Sequence, residues 1–598
     1  MYIFDENDLY FRSPGGAIKT PGTLTLKIKL HRGEAKNPRV CLYLDGGHAN
    51  EAAMEYSHVS GAYDVYKLEI DFNSAGLYWY NFLFDTVYNS VHPVPEHAGG
   101  GFQVTVYTPD DVQPEWIWGG TIYHIFVDRF RNGGKMRLGP GAFHRGDWGG
   151  LPYFLPDERG IVRNNDFFGG DLYGIIEKLP FLEELGVTCI YLSPVFEADS
   201  NHKYDTGDFM KVDIAFGGDE ALEELCQKAA NFGMRVILDG VFNHVGSDSV
   251  YFNRYGKYDS VGAYQSHNSP YRDWFTFRDD GTYESWWGIE LLPALNKQNE
   301  SYRNFLCGEN GVIAHWMQRG ISGWRLDVVD EVPDILLDPL CNAMRRETSD
   351  VFIAGEVWED ASHKIAYSIR RRYFLGGQLN SVTNYPLKDA IIACVKDGDV
   401  TVLATVMAAL CKNYPKNVLD SLMNIVGTHD TMRILTVLSG ANFPEGRYAM
   451  SHFKLTEHEL MLAKKRLKLA AALQFTLPGV PCVYYGDEAG MEGGADPFNR
   501  VCYPWGNEDE NLISWYKTLA KIRKSHSCFT DGKYELIEAR DGLFAFTRGE
   551  DNTRVLIAIN VSDHERTVTA SDFNYDLLRE EKIESLKINS GEAGMFIC

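Results

Sequence analysis

The strongest constraint in this sequence is a regular alternation of two kinds of segment between about residues 116 and 526. Short apolar runs have the length of buried strands, and they are 122–127, 187–192, 236–239, 324–328, 353–357, 424–426 and 483–485. Amphipathic stretches with helical spacing lie between them, at 172–185, 220–232, 303–319 and 457–473. Because strand–helix alternation predicts a parallel sheet, a segment of roughly 400 residues favours an eight-stranded (β/α)8 barrel.

The flanking and inserted segments have a different pattern. Residues 1–113 contain alternating apolar runs, such as Leu24–Leu30, separated by turns, which predicts an N-terminal β-sandwich. Residues 527–598 return to this alternation and predict a C-terminal β-sandwich. The segment of about 243–296 is too long for a βα loop, so it predicts a subdomain inserted after the third strand. We expect the barrel itself to span 114–526.

Charge and cysteine usage exclude several classes of partner. Lys and Arg number 58 against 82 Asp and Glu, so the net charge of −24 repels nucleic acid and anionic membrane surfaces. The 11 cysteines show no CxxC spacing, which predicts free thiols in a reducing compartment. The first residues lack the pattern of a secretory signal, and prolines interrupt the apolar stretch 469–485. We therefore expect a cytoplasmic protein without a membrane segment.

Polar residues follow the predicted barrel strands at the points where these strands end. They are Asp239, Asn243 and His244 after the third strand, Arg325 and Asp327 on the fourth, Glu356 after the fifth, and His429 and Asp430 after the seventh. A single carboxylate of this kind is usually a cap or an ion-pair partner. Packing gives no reason to bring four to one mouth, where their mutual repulsion costs stability. The set predicts an active site.

These strand-end segments resemble the four best-known motifs of glycoside hydrolase family 13, the α-amylase family. Residues 168–174, Phe-Gly-Gly-Asp-Leu-Tyr-Gly, and 201–206, Asn-His-Lys-Tyr-Asp-Thr, resemble two further segments of the family. The sequence Trp286-Trp287-Gly288, followed by Leu-Pro-Ala-Leu-Asn at 292–296, is most similar to the neopullulanase, cyclomaltodextrinase and amylopullulanase group. The N-terminal segment resembles the starch-binding-type module, carbohydrate-binding module family 34.

The resemblance implies a role for each matched residue. Asp327 matches the nucleophile that forms a covalent glycosyl-enzyme, Glu356 the general acid/base, and Asp430 the third carboxylate, which binds sugar hydroxyls. The substrate-binding residues that it implies are His202, Tyr204, Asp239, Asn243, His244, Trp287, Arg325, His429, Asp496 and Arg500. Because Arg325 lies two residues before Asp327, it faces the same side of the strand, and we expect it to hold Asp327 ionised while Glu356 keeps its proton.

The implied activity is retaining hydrolysis of α-1,4 bonds in maltodextrins, pullulan or cyclodextrins, with α-1,6 bonds also open. Retaining chemistry predicts carboxyl groups of Asp327 and Glu356 at ~5–5.5 Å from each other. Two alternatives stay open, a glucanotransferase that uses the same site and a non-catalytic glucan-binding protein. The expected partner is an α-glucan oligosaccharide. The sequence leaves open whether the protein forms a homodimer.

The sequence implies no required cofactor. Relatives often carry a calcium-binding loop after the first strand, but here that loop is Asp-Arg-Phe-Arg-Asn-Gly-Gly-Lys at 128–135. Calcium takes six to eight oxygen ligands, and this loop offers few. We therefore expect a weak or missing calcium site.

Overall fold

The fold is taken from a computed structural model that describes residues 2–86, 90–91, 101–110, 112–139, 141–158 and 160–598. The chain divides into two compact units. The first contains Met1–Gln113 together with Glu359–Asn380 and Thr405–Leu419. The second contains Pro114–Trp358, Ser381–Ala404 and Asp420–Cys598.

Two β-sheets form most of the first unit. One contains the strands Tyr2–Ile3, Arg12–Ser13, Gly22–His31, Glu55–Ser60 and Tyr63–Phe72. The other contains Ile18–Lys19, Ala35–Leu44, Asn50–Ala53, Gly76–Thr86, Ser90–Val91 and Phe102–Tyr107. Leu24 and Leu26 from the first sheet lie in one buried cluster with Phe82 and Val104 from the second. The alternation in Gly22–His31 thus buries every second side chain.

Three aromatic residues of this unit, at 78–80, are candidates for sugar stacking, and their alternation requires at least one to face the core. Tyr80 is fully buried, and Tyr78 packs against the same core. Trp79 is also buried, and its indole N–H donates to Asp45 Oδ1 at 2.9 Å. Of the three, only Tyr78 is half-buried rather than buried.

Two segments distant in sequence belong to the first unit, which the sequence did not predict. The guanidinium of Arg370 donates to both carboxylate oxygens of Asp45, at 2.9 and 3.0 Å. The Gln103 amide donates to Ser362 Oγ at 3.1 Å. The ammonium of Lys412 pairs with Glu6 at 2.7 Å. These contacts tie 359–380 and 405–419 to the N-terminal strands.

Eight parallel strands form a nearly closed barrel in the second unit, as predicted. They are β1 (Ile122–Ile125), β2 (Cys189–Leu192), β3 (Arg235–Gly240), β4 (Gly323–Leu326), β5 (Phe352–Gly355), β6 (Ser381–Val382), β7 (Met423–Asn424) and β8 (Val480–Tyr484). The pairs follow chain order, β8 pairs with β1, and one bridge between Thr383 and Met423 joins β6 to β7. Strand β6 was not predicted, because two residues are too few for a periodic pattern.

Helices follow most of the barrel strands. The longer ones are Leu172–Glu177, Leu179–Glu184, Gly218–Asn231, Glu300–Cys307, Val312–Met317, Asp334–Glu347, Tyr385–Ile392, Val400–Asn413, Glu457–Thr476 and Glu510–Ser525. The shorter ones are Val127–Phe130, Lys416–Leu419, Ile434–Leu438, Arg447–Ser451 and Cys528–Asp531. The predicted helix 172–185 divides at Lys178, because Pro180 occupies the start of a new helix. In the described residues, no helix is both long and apolar enough to cross a membrane.

The connections after the first three strands are irregular. Two short strand pairs lie here. Phe143–His144 pairs with Asp166–Phe167, and Phe196–Ala198 pairs with Thr206–Val212. Residues 241–299, after β3, contain only single helical turns at Arg272–Trp274 and Trp286–Gly288 and isolated bridges such as Phe275–Leu295. This segment reaches the mouth of the barrel through a bridge between His244 and Ala294.

A C-terminal sheet domain follows the barrel, as predicted. Its six-stranded sheet contains Tyr534–Arg540, Leu543–Arg548, Val555–Asn560, Tyr575–Asp576, Glu581–Lys582 and Ala593–Ile597. Arg566–Thr567 pairs with Lys587–Ile588 in a second, smaller sheet. Leu543, Leu556 and Phe596 share a core cluster with Ile588 of that smaller sheet.

Arg523 gives a test of how the barrel is held together. Its buried guanidinium donates to the carbonyls of Gly120 (3.0 Å), Phe475 (2.8 Å) and Gly479 (2.6 Å). Burial lowers its pKa to about 9, so it stays charged at neutral pH. Arg523→Met leaves three buried carbonyls without donors, and we expect a loss of at least about 3 kcal/mol in unfolding free energy. Thermal unfolding measures it. The exposed Arg540→Met is the control, and equal stability of both variants contradicts this role.

Candidate active site

Arg325 lies on β4 at the centre of the polar cluster in the barrel mouth, and it is buried. Its Nη1 contacts Asp239 at 3.1 and 3.0 Å and Asp327 Oδ1 at 2.8 Å. Its Nη2 pairs with Glu356 Oε2 at 3.1 Å. One guanidinium therefore holds the carboxylates at the ends of three neighbouring strands, β3, β4 and β5.

The charge in this cluster is unbalanced, with one guanidinium for three carboxyl groups. Burial raises the pKa of Asp327 well above its usual value, the neighbouring Glu356 adds to the rise, and Arg325 opposes it. Burial likewise raises the pKa of Asp239 to about 6, against the opposing charge of Arg325. Arg325 divides its charge among three partners, and its ability to keep Asp327 ionised stays a prediction.

Asp239 has a different environment from that of a substrate ligand. It is fully buried, and besides Arg325 it accepts hydrogen bonds from Tyr191 Oη at 2.5 Å and Tyr204 Oη at 3.0 Å. Both carboxylate oxygens are therefore engaged by protein groups. In the structure Asp239 thus orients Arg325 and the two tyrosines, and its predicted contact with substrate stays a prediction.

The segment after Asp327 is strained in a way that serves Glu356. Val328 has φ 38° and ψ 50°, the left-handed region that a β-branched residue rarely adopts. This conformation directs the Val328 N–H to Glu356 Oε2 at 2.9 Å. The indole of Trp358 donates to the other oxygen at 3.1 Å, and its ring stacks on Tyr385 at 4.1 Å. Trp358 was not predicted from the sequence, although it lies two residues after Glu356, and residues at this spacing face the same side of an extended chain.

His429 and Tyr204 join the two sides of the cluster. Their rings stack with an interplanar angle of 10°, and Tyr204 Oη lies 2.5 Å from His429 Nε2. The same nitrogen lies 3.2 Å from Asp430 Oδ2. Burial, with the nearby charge of Arg500, lowers the pKa of His429 well below its usual value. The imidazole is neutral at physiological pH and serves as a hydrogen-bonding group.

His244 is a second buried, neutral imidazole. Burial lowers its pKa to about 3, with a further contribution from the charge of Lys297. Its ring stacks on Trp286, with centroids 5.0 Å apart. In the part of the chain that the structure describes, His244 Nε2 has no hydrogen-bond partner. This nitrogen is chemically suited to bind a hydroxyl group.

Glu331, which the sequence analysis did not single out, organises the aromatic residues beside His244. Its carboxylate accepts hydrogen bonds from Asn243 Nδ2 (2.8 Å), Trp286 Nε1 (3.2 Å) and Trp287 Nε1 (2.9 Å). Trp287 itself is 80% exposed and has a positive φ of 50°. Because Glu331 restrains the indole N–H groups, an exposed ring is kept in a fixed orientation. In the sequence, the one feature that pointed to Glu331 was its position four residues after Asp327.

The remaining predicted residues border the same cluster. Arg500 pairs with Asp496 at 2.8 Å and with Asp430 at 3.5 Å, which links the loops after β7 and β8. His202 Nδ1 accepts the backbone N–H of Tyr204 at 3.1 Å. Burial lowers the pKa of His202 well below its usual value. Contacts therefore connect most of the predicted residues. From His202 they lead to Tyr204, which is linked through Asp239 to Arg325. Tyr204 is also linked, through His429, Asp430 and Arg500, to Asp496.

The loop after β1 does not fit a calcium ion. Asp171 accepts backbone N–H groups of Gly133 (3.1 Å), Lys135 (3.0 Å) and Gly174 (2.7 Å). Asp128 is likewise engaged, by the Arg129 side chain at 2.7 Å and by backbone N–H groups. Since N–H donors face the carboxylates where a cation would lie, this loop is closed by the protein itself. Over the described residues, no cluster of three or more acidic, His or Cys side chains has metal-binding geometry.

Chelation tests this interpretation of the loop. A calcium ion bound at 100 times its Kd would add about 2.7 kcal/mol of stability. Because amides already satisfy Asp171, we expect EDTA to leave the thermal midpoint unchanged, and added calcium not to raise it. A midpoint that falls with EDTA and recovers with calcium would overturn this assignment.

The raised pKa of Asp327 predicts a pH-dependent stability. A carboxyl group whose pKa is higher in the folded than in the unfolded state stabilises the fold below both pKa values and loses this contribution as pH rises through the folded value. Asp327→Asn removes the cost of the ionised form, and we expect the variant to be more stable than the parent protein at pH 8. The gain should shrink towards pH 4.5, as thermal unfolding would show.

The exposed Asp259→Asn provides the control for this measurement. A gain in the Asp327→Asn variant that is the same at both pH values, or a loss at pH 8, contradicts the assigned direction of the pKa.

The chain is similar to known proteins in both sequence and structure. A profile described as the catalytic domain of alpha amylase matches residues 124–523. An amylopullulanase from Thermoanaerobacterium saccharolyticum is 33% identical over 669 residues, covering 98% of this chain and 51% of the relative. A cyclomaltodextrinase from Bacillus sp is 30% identical and is covered to 79%, as is this chain. The structure of the type III pullulan hydrolase from Thermococcus kodakarensis superposes with a TM-score of 0.69 at 25% identity, covering 100% of both chains.

The lengths of these proteins differ. The chain spans about half of the first amylopullulanase, and 40% and 33% of two others, from Thermoanaerobacter thermohydrosulfuricus and Thermoanaerobacterium thermosulfurigenes. The matched profile nevertheless covers more than half of this chain and includes β1 to β8. With its carboxylates at the ends of the barrel strands and this match over the barrel, the chain belongs to the α-amylase family.

Proposed function

We propose that this chain is a retaining α-glucan hydrolase, with Asp327 as nucleophile, Glu356 as general acid/base and Asp430 as the third carboxylate. The observation that carries the proposal is the pairing of Asp327 and Glu356 with adjacent nitrogens of Arg325, at 2.8 and 3.1 Å. Two carboxyl groups on one guanidinium are close neighbours. Such closeness supports retention, since inversion needs a gap of ~6.5–9.5 Å for a water molecule.

In the first step, Asp327 attacks the anomeric carbon while the bond from that carbon to the glycosidic oxygen breaks. Glu356 donates its proton to the departing oxygen, so the leaving sugar departs as a neutral alcohol. The product on the enzyme is a glycosyl ester of Asp327. Arg325 stabilises this residue before the attack, because its Nη1 lies 2.8 Å from Asp327 Oδ1.

In the second step, Glu356 acts as the base. It takes a proton from a water molecule, the water oxygen bonds to the anomeric carbon, and the bond to Asp327 breaks. Two displacements on the same carbon restore the original α configuration. Val328 N–H and Trp358 Nε1, at 2.9 and 3.1 Å, hold the two oxygens of Glu356 in place through both steps.

The neutral imidazoles and Asp430 are suited to hold the sugar at the reacting position. His244 Nε2 and the side chain of Asp430 are available to hydroxyl groups, and Tyr204 stacked on His429 forms a flat aromatic surface. Hydrogen bonds that strengthen as charge develops on the sugar ring lower the barrier. The exposed Trp287 is a further candidate contact for glucose rings.

The substrate class follows from the relatives. They are an amylopullulanase, a cyclomaltodextrinase and a type III pullulan hydrolase. For this chain we propose α-1,4 cleavage in such glucans, with α-1,6 cleavage as a further capacity. Transfer to a sugar instead of water is the alternative, and maltotriose separates the two, because a hydrolase releases reducing sugar whereas a transferase forms longer oligosaccharides.

The domain roles are also proposals. We place boundaries at 1–113, 114–526 and 527–598, with a subdomain inserted at about 243–296. Because Trp79 and Tyr80 are buried and Tyr78 is half-buried against the same core, a glucan-binding role of the N-terminal domain would rely mainly on other residues. Seven of the eleven cysteines are buried, where thiols pack as small apolar side chains, and this usage supports a reducing compartment such as the cytoplasm.

The activity is tested with Asp327→Asn and Glu356→Gln, which keep the shape of each side chain. We expect both to lower kcat on maltotriose, pullulan and cyclodextrin by more than about 10³-fold, because each removes a group that acts in both steps. Asp259→Asn, at an exposed position, is the control. Proton NMR of the first product reads the stereochemistry. A full-activity Asp327→Asn variant overturns the nucleophile, and an initial β-anomer overturns retention.

A further inference from the structure

Asn499 lies directly behind Asp430, and it is fully buried. Its side-chain Nδ2 donates to the carbonyl of His429 at 2.6 Å and to that of Thr431 at 2.8 Å. These carbonyls belong to the residues immediately before and after Asp430. A single amide group therefore spans the peptide units on both sides of the third carboxylate.

Asn499 is itself fixed to the end of β8. The carbonyl of Asn499 accepts from Arg433 Nε at 2.9 Å and from Tyr484 Oη at 3.4 Å. Arg433 is buried, pairs with Asp487 at 3.1 Å and lies over the rings of Tyr484 and Tyr485, 4.2 and 4.6 Å from their centroids. The support behind Asn499 is thus made of short, buried contacts.

The Asp430 carboxylate has weaker restraints of its own. It is 31% exposed, its contacts with His429 and Arg500 are 3.2 and 3.5 Å long, and its backbone N–H donates to Thr428 Oγ1 at 3.1 Å. With side-chain contacts this long, the direction of the Asp430 carboxylate is set mainly by the backbone of its turn. Since displacements of about 1 Å cost enzymes large factors in rate, the backbone on both sides of Asp430 has to be held.

We propose that Asn499 is a positioning residue for Asp430, and that its amide fixes the turn 429–431 so that the carboxylate meets the sugar in the reactive geometry. This inference rests on the proposed function, which gives Asp430 its role. An amide suits the task because its two N–H donors face two carbonyl acceptors. Among the described residues, Asn499 Oδ1 has no partner, so the side chain serves only as a donor here.

The test compares Asn499→Ala with Asn253→Ala. Asn253 is also fully buried, and its Nδ2 also donates to two carbonyls, those of Tyr258 and Ser260, both at 2.8 Å. Asn253 also accepts the Tyr258 N–H at 3.2 Å and has a positive φ of 50°, so Asn253→Ala should lose at least as much thermal stability as Asn499→Ala. We expect Asn499→Ala to lower kcat on maltotriose by about 10–100-fold. Asn253→Ala should stay within about twofold of the parent protein.

Asn499→Asp is the second variant, with the same shape but without the donors, and its loss in kcat should be at least as large. If Asn499→Ala does not fold, this variant carries the test at the same temperature. Equal kcat values for the variants at 499 and at 253 overturn the inference.

A double-mutant comparison separates positioning from a general loss of structure. With Asp430→Asn in the background, the side chain that Asn499 positions no longer carries charge, so Asn499→Ala should lower the residual kcat by less than about twofold. The same 10–100-fold loss in that background would show a general effect and overturn the inference. Full activity of Asp430→Asn alone would instead refute the role of Asp430 in the proposed function.

Discussion

The barrel mouth depends on one buried arginine that serves three carboxyl groups. Arg325 contacts Asp239, Asp327 and Glu356, which lie at the ends of β3, β4 and β5. Without that positive charge, the three acids could not be buried together, because each would repel the others in a medium of low polarity. Even with it, burial raises the pKa values of Asp239 and Asp327, and the neighbouring Glu356 adds to the rise.

Around this centre, hydrogen bonds between backbone and side chains add to the geometry. The strained Val328 turns its N–H towards Glu356, and the amide of Asn499 spans the two peptides beside Asp430. Strain of this kind costs about 1–3 kcal/mol and persists only where the surrounding structure imposes it. The barrel supplies the rigidity, because its strands pair from β1 to β8 and are flanked by helices. Stability is thus exchanged for a fixed arrangement of charged groups.

The sequence anticipated much of this arrangement, and the misses have physical reasons. Asp327, Glu356 and Asp430 were recognisable because each follows an apolar strand of readable length. Strand β6 was not, because two residues carry no period. Glu331 and Asn499 were missed because their roles come from contacts across 45 and 70 positions of the chain, to Trp286 and His429. No local pattern encodes such distances.

By itself, the sequence determined the barrel, the sheet domains around it and the identity of the acids at its mouth, because burial imposes a periodicity that is visible in one dimension. Only the tertiary structure decided how these acids share one arginine. It also decided that Asp239 is an internal partner of Arg325, and that residues 359–380 belong with the N-terminal strands. The reason is that protonation and orientation depend on distances between side chains remote in sequence, and folding sets those distances.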